Sequence, residues 1–182
     1  MSDPFCLIIS GPSGSGKSTT AKRLWNILDG NPAYLSLDSI KHFIHGAKSN
    51  DYFLDLARIN ALSLTRNYLK VGHPVILDKA FGCYEYVKPF VDLTKEIGVA
   101  SYYFKLIAPL NVLIRRVENR KDFSLEEKIK QGEWPLPIGD KETATKIYKF
   151  FEKNKHPEGI EIDTEINPLD KVIEIILSYL QK

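Results

Sequence analysis

The 182-residue chain has only two cysteines, Cys6 and Cys83. They are too few for a disulfide framework and stand in no metal-binding spacing, so both read as reduced thiols in or near a core. No run of 18 apolar residues occurs, which excludes a membrane-spanning helix, and the N-terminus lacks the basic and apolar stretches of a secretion signal. The expectation is a cytoplasmic protein with no membrane partner. Charge of one sign is missing too. Its 25 basic residues stand against 23 acidic ones, too even a balance for the general field of a non-specific nucleic-acid binder. There is no internal repeat, no low-complexity stretch and no Gly/Ser/Pro-rich linker, and the length fits one domain over residues 1–182. Arginine is scarce, six against 19 lysines.

What is present is an apolar share of 43% with plentiful aromatics, enough for a core that offsets ordering entropy. Short apolar runs rich in Ile, Val, Tyr and Phe recur at 5–10, 33–37, 74–78, 101–108 and 159–163, with helical patterns after them. Five runs each followed by a helix predict a parallel sheet with right-handed crossovers. Their lack of period-2 alternation fits strands covered on both faces. Asn50 caps a long helical pattern that stops at Gly72, the Ser124 to Glu127 spacing is that of a capping box, and Asn167-Pro168 opens an amphipathic helix read as core packing. Between the helical patterns, residues 132–139 hold two glycines, two prolines and Trp134, and read as an irregular connector.

The decisive motif is Gly11, Pro12, Ser13, Gly14, Ser15, Gly16, Lys17 and Ser18, a full G-x-x-x-x-G-K-[ST] between an apolar strand and a helical pattern at 19–28 that Thr19 opens. The glycines permit positive φ and close approach, so that consecutive amides converge on phosphate oxygens at a helix N-terminus. Lys17 then reaches the β- and γ-phosphates, and Ser18 offers its hydroxyl to Mg²⁺. The motif predicts nucleoside triphosphate binding.

A P-loop alone does not separate a kinase from a switch or a motor. Asp38 and Asp78 end two of the expected strands, and the carboxyl ends of parallel strands line the edge where ligands bind. A carboxylate there can hold Mg²⁺ or accept the proton of an attacking hydroxyl; the structural alternative is a helix cap. Arg116 and Arg120 lie four apart on one helical face. Their planar forks suit the charge of a transferring phosphoryl group, the alternative being a solvated basic face. Phe43, Tyr52, Arg58 and Arg66 are candidates for a pocket between the helix after Asp38 and the 50–71 helix, while His42 and His45 read as surface residues.

Together the P-loop, Asp38, the Asp78 strand, Arg116, Arg120 and the late strand ending at Asp163-Thr164 resemble the P-loop small-molecule kinases of the nucleoside-monophosphate-kinase-like group. The branch with zeta toxins, polynucleotide 5′-kinases, gluconate kinases and chloramphenicol phosphotransferases is the most similar. The resemblance implies a three-layer α/β P-loop NTPase fold with a five-stranded parallel sheet in order 2-3-1-4-5, helices on both faces and a short helical lid at about 115–137. It further implies Arg116 and Arg120 closing over ATP, Asp38 as base toward the acceptor, Thr164 near the adenine, and Mg²⁺ at Ser18 and Asp78. One departure concerns the acceptor: Lys41 stands where several relatives carry arginine, and loses the bidentate fork.

The expected activity is ATP- and Mg²⁺-dependent transfer of the γ-phosphoryl to a hydroxyl of a small-molecule acceptor by a monomer or homodimer. A nucleoside monophosphate or a polynucleotide end is the alternative acceptor. A switch ATPase without an acceptor is the rival class, opposed by the absence of a second carboxylate pair after Asp78, where Lys79-Ala-Phe-Gly82 follows.

Overall fold

The computed structural model describes residues 3–48, 50–119 and 140–180. Five strands, β1 (Phe5–Ser10), β2 (Ala33–Ser36), β3 (Val75–Asp78), β4 (Ala100–Ile107) and β5 (Ile160–Asp163), form one sheet. The order is β2-β3-β1-β4-β5 and every pairing is parallel, as expected. The helices are α1 (Lys17–Ile27), α2 (Leu37–Lys41), α3 (Asp51–Lys70), α4 (Lys88–Ile97), α5 (Leu110–Glu118), α6 (Lys141–Lys153) and α7 (Leu169–Leu180).

β1 shows why the strands carry no polar alternation. Cys6 and Ile8 pack against one face with residues of α3 and α4, while Leu7 and Ile9 pack against the other with α1 and α7. All four are fully buried. Cutting Ile8 to alanine would cost about 3 kcal/mol or more, because neither covering layer can collapse onto the hole. Burial also pushes the Cys6 thiol up to about 12, so it stays protonated and inert.

Local chemistry sets the boundaries. β2 stops at Ser36, one residue before the predicted end, because the Ser36 hydroxyl turns back to accept the Ser39 amide at 3.3 Å and caps α2. Asn50 accepts the Phe53 amide at 3.1 Å and Asp140 the Thr143 amide at 2.7 Å, which start α3 and α6. α1 begins at Lys17, two residues before the predicted start, directly from a left-handed Gly16. Of the predicted lid, residues 115–118 belong to α5, while Arg120, the 124–127 capping box and the 132–139 connector lie outside the described residues.

Candidate active site

The segment 11–16 leaves β1 at the centre of the sheet's carboxyl edge and runs into α1. Gly11 (φ 149°) and Gly14 (φ 86°) are required twice over, by φ and by space. A Cβ on Gly11 would stand 2.4 Å from the Leu106 carbonyl oxygen, and one on Gly14 would stand 2.6 Å from that of Leu113. The loop is therefore pressed onto β4 and α5. Pro12 takes the Ser15 amide at 3.2 Å, while the Ser15 hydroxyl is buried with no partner. Ser13 is half-buried, and Ser18 and Thr19 are exposed in the first turn of α1. Positive-φ glycines followed by a helix N-terminus make an anion cradle.

Because β2 and β3 are neighbours with Ser36 opposite Asp78, the crossover brings two carboxylates to one edge. Asp38 sits in the first turn of α2, and Lys79, one residue past β3, places its Nζ 2.5 Å from Asp38 Oδ1. Partial removal from water alone would raise the Asp38 carboxyl. Lys79, and behind it Lys17 and Lys41, overrides this and holds it below the ordinary carboxylate range. Lys41 is itself buried, and loss of water pushes its ammonium down against the opposing pull of Asp38. Three lysines thus share the field of one carboxylate beside the phosphate cradle.

Asp78 is 4% exposed, and the Tyr34 hydroxyl donates to its Oδ2 at 2.8 Å. Burial, reinforced by the Asp78 charge, pushes that hydroxyl well up, so Tyr34 remains a donor. The other oxygen, Oδ1, is buried without a partner. An orphaned carboxylate oxygen is costly unless something pairs it. Hard oxygens from Asp78 and Ser18 suit magnesium, which takes one or two protein ligands and completes its shell with phosphate and water. The donor set therefore fits Mg²⁺. Among the described residues there is no group of three or more His, Cys, Asp or Glu that could hold a metal without such help.

On the other flank of the cradle, Arg116 of α5 acts as a strut. Its Nη1 donates to Thr164 Oγ1 at 2.8 Å and to the Gly14 carbonyl at 3.4 Å, and its Nη2 donates to the Thr164 carbonyl at 2.7 Å. Thr164 in turn donates to the Ile107 carbonyl. This Arg116 is fixed to the body of the fold rather than carried on a free segment. A cavity of about 200 Å³ opens beside it, walled by Gly14, Gly16, Thr19, Thr164 and Asn167. Arg115 is exposed.

The residues proposed for an acceptor pocket do not converge. Phe43 and Tyr52 are exposed, Arg58 pairs with Asp55 and lies over the Tyr86 ring at 4.1 Å, and Arg66 forks onto Glu96 of α4 at the surface. His42 is half-buried rather than a surface residue, with a buried Nε2 that has no partner. Sequence reading missed Lys79. Its one signal is its place directly after the strand-end aspartate.

A family model described as an AAA domain matches residues 7–132, more than half of the chain. The chain belongs to that AAA domain family. Solved structures that superpose on this AAA domain protein include one described as APE1195, with TM-score 0.73 and 19% identity over 100% of this chain and 97% of that one. The Mycobacterium tuberculosis APS kinase with AMPPNP and APS gives 0.69 and 16% over 100% of both chains. A gluconokinase from Sinorhizobium meliloti 1021 gives 0.61 and 17% over 100% and 94%. At these identities the likeness is one of fold, and the fold is shared with small-molecule kinases. No curated protein matches this chain significantly in sequence.

Proposed function

We propose that this AAA domain protein is an ATP- and Mg²⁺-dependent phosphotransferase that moves the γ-phosphoryl of ATP to a hydroxyl of a small-molecule acceptor. The observation that carries the reading is Asp38: an ionised carboxylate, aimed by Lys79, standing in the field of the P-loop lysine.

The Ser13, Gly14 and Gly16 amides and Lys17 hold the phosphates, and the cavity beside Arg116 and Thr164 receives the base and ribose. Ser18 and Asp78 would hold Mg²⁺, which would supply neutralisation of phosphate charge there. Asp38 accepts a hydrogen bond from the acceptor hydroxyl and takes its proton as the oxygen bonds to the γ-phosphorus and the bond from that phosphorus to the β,γ-bridging oxygen breaks, releasing ADP. Held below the usual range, it stays charged at neutral pH and receives the proton late, as the hydroxyl acidifies on bonding. Lys17 stabilises the charge on the equatorial oxygens. The kinase names of the structural neighbours support the same class.

Incubation with γ-labelled ATP and a metabolite library tests this. One or more small molecules gain the label with the native chain and none with Asp38→Asn. Acceptor-independent hydrolysis as the sole activity, equal in both proteins, would overturn the reading.

A further inference from the structure

The strand β4 carries an anomaly. Its buried run Tyr103, Phe104 and Leu106 is broken by Lys105, itself only 6% exposed. A buried ammonium costs stability unless fully paired, and an apolar residue would serve the sheet as well. Glu161, its register partner on β5, lies 3.1 Å away, and Lys105 Nζ donates to the His156 carbonyl at 2.7 Å. The His156 ring is held by stacking on Tyr103, with centroids 6.0 Å apart. An ammonium has three N–H donors, so these two acceptors leave one for a ligand.

Lys105 lines a cavity of about 320 Å³ that also touches Pro12 of the P-loop and Gly82 of the loop after β3. The cavity beside Arg116 touches Gly14, Ser15, Gly16, Thr19 and Thr20, so the two meet different stretches of the same loop and helix start. The volume falls at the small end of ligand pockets, about 300–1,000 Å³, which fits a metabolite rather than a polymer end. One wall is apolar, with Ile107, Ala108, Tyr148 and Phe151. The polar wall carries Glu152, Glu161 and Asp163 against Lys105 and Lys155, three carboxylates to two ammonium groups. Among the described residues no arginine lines it, so none of them offers the planar fork that binds a phosphate or carboxylate through two parallel hydrogen bonds. A phosphate or carboxylate entering would meet a net negative wall whose one buried cation already faces the Glu161 carboxylate, which leaves it a single N–H to offer.

We infer that this cavity is the acceptor pocket, and that its acceptor is a neutral or cationic small molecule joining a hydroxyl to an apolar ring or chain, not an anionic one such as a nucleoside monophosphate. The inference rests on the phosphotransferase reading for the word acceptor, and on the cavity's own chemistry for the ligand class.

The test uses three probes that differ only in the charge of one arm: tyrosol (neutral), tyramine (cationic) and 4-hydroxyphenylacetate (anionic). Each is titrated at millimolar concentration into the isotope-labelled full chain bearing AMPPNP, and backbone amide shifts are followed. Tyrosol and tyramine shift amides of residues 105–108 and 148–156, binding at least about tenfold tighter than the anion. Glu152→Lys, on the exposed side of α6, narrows or reverses the preference of tyramine over the anion. Equal or tighter binding of the anion, shifts confined to other residues, or no response to any probe would each overturn the inference. AMPPNP shifts at residues 11–18 are recorded first and report that the chain is folded and binds nucleotide. Their absence overturns the phosphotransferase reading, whereas their presence with a silent cavity overturns only the pocket.

Discussion

The two flanks of the P-loop are built from different materials. Toward β4 and β5, Arg116 spends its fork on one hydroxyl and two carbonyls, so a cation is used as a neutral-group strut. Toward β2 and β3, Lys17, Lys41 and Lys79 surround Asp38, and Asp78 lies beside them with one oxygen unpaired. The first flank fixes a shape and the second sets a field. A base and ribose need shape, being largely neutral; a migrating phosphoryl group needs a field.

Removing the field should do the most damage. Lys17→Ala is expected to lower turnover by about a thousandfold, read as product formation from labelled ATP, because it strips charge from the cradle itself. Asp38→Asn comes next, lowering turnover by at least about a hundredfold while AMPPNP affinity, measured calorimetrically, stays within about twofold. Unchanged turnover in that variant would remove Asp38 from the chemistry and leave the second flank without its stated purpose.

Lys79→Met should cost about tenfold in kcat and move the acid limb of the kcat–pH profile upward. The sign follows from the direction of the shift. Lys79 favours the charged form of Asp38, so its loss lets the carboxyl rise toward and past 3.8. In stability the Asp38 contribution is present above the unfolded value and disappears as pH falls through the lowered folded one. Acid unfolding of the native chain and of Lys79→Met should therefore converge only as pH falls through the lowered folded value of Asp38, itself under 3.8, and a difference that persists below that value contradicts the pairing.

Breaking the shape should do less. Arg116→Ala is expected to weaken ATP binding about tenfold with kcat little changed, since the strut orders Thr164 and Gly14 without meeting the reacting atoms. A fall in kcat with unchanged affinity would reverse the contrast between the flanks. The smallest effect on activity is expected from Ser10→Ala. The Ser10 hydroxyl both donates to and accepts from the backbone of Phe81, tying the loop after β3 to the end of β1. Its loss should lower stability by about 1–3 kcal/mol, visible in chemical denaturation, because the buried Phe81 carbonyl loses its partner, while the Phe81 amide keeps only the Lys79 carbonyl.

The same contrast explains what could be read from the sequence. Residues 11–18 and the five apolar runs are local patterns, and each strand lies within one or two residues of where its run predicted. Sheet order was available only through the resemblance to known kinases. The Asp38–Lys79 pair was hidden because residues 41 positions apart meet only after β2 and β3 are placed side by side. Lys105 was read as part of a strand, and nothing in the one-dimensional pattern says that a lysine there will be buried. The pocket expected between α2 and α3 failed for a related reason. Arg58 and Arg66 are engaged by Asp55 and Glu96, and which carboxylate each meets cannot be read from helical spacing alone.

The sheet order has a further consequence. Its outermost strands, β2 and β5, are four residues each, half the length of β4. Another chain could add only a few backbone hydrogen bonds along either border, too few to hold a sixth strand. Brevity at the margins guards this sheet against fibre growth, and leaves its functional edge, at right angles to those margins, free to be open and charged.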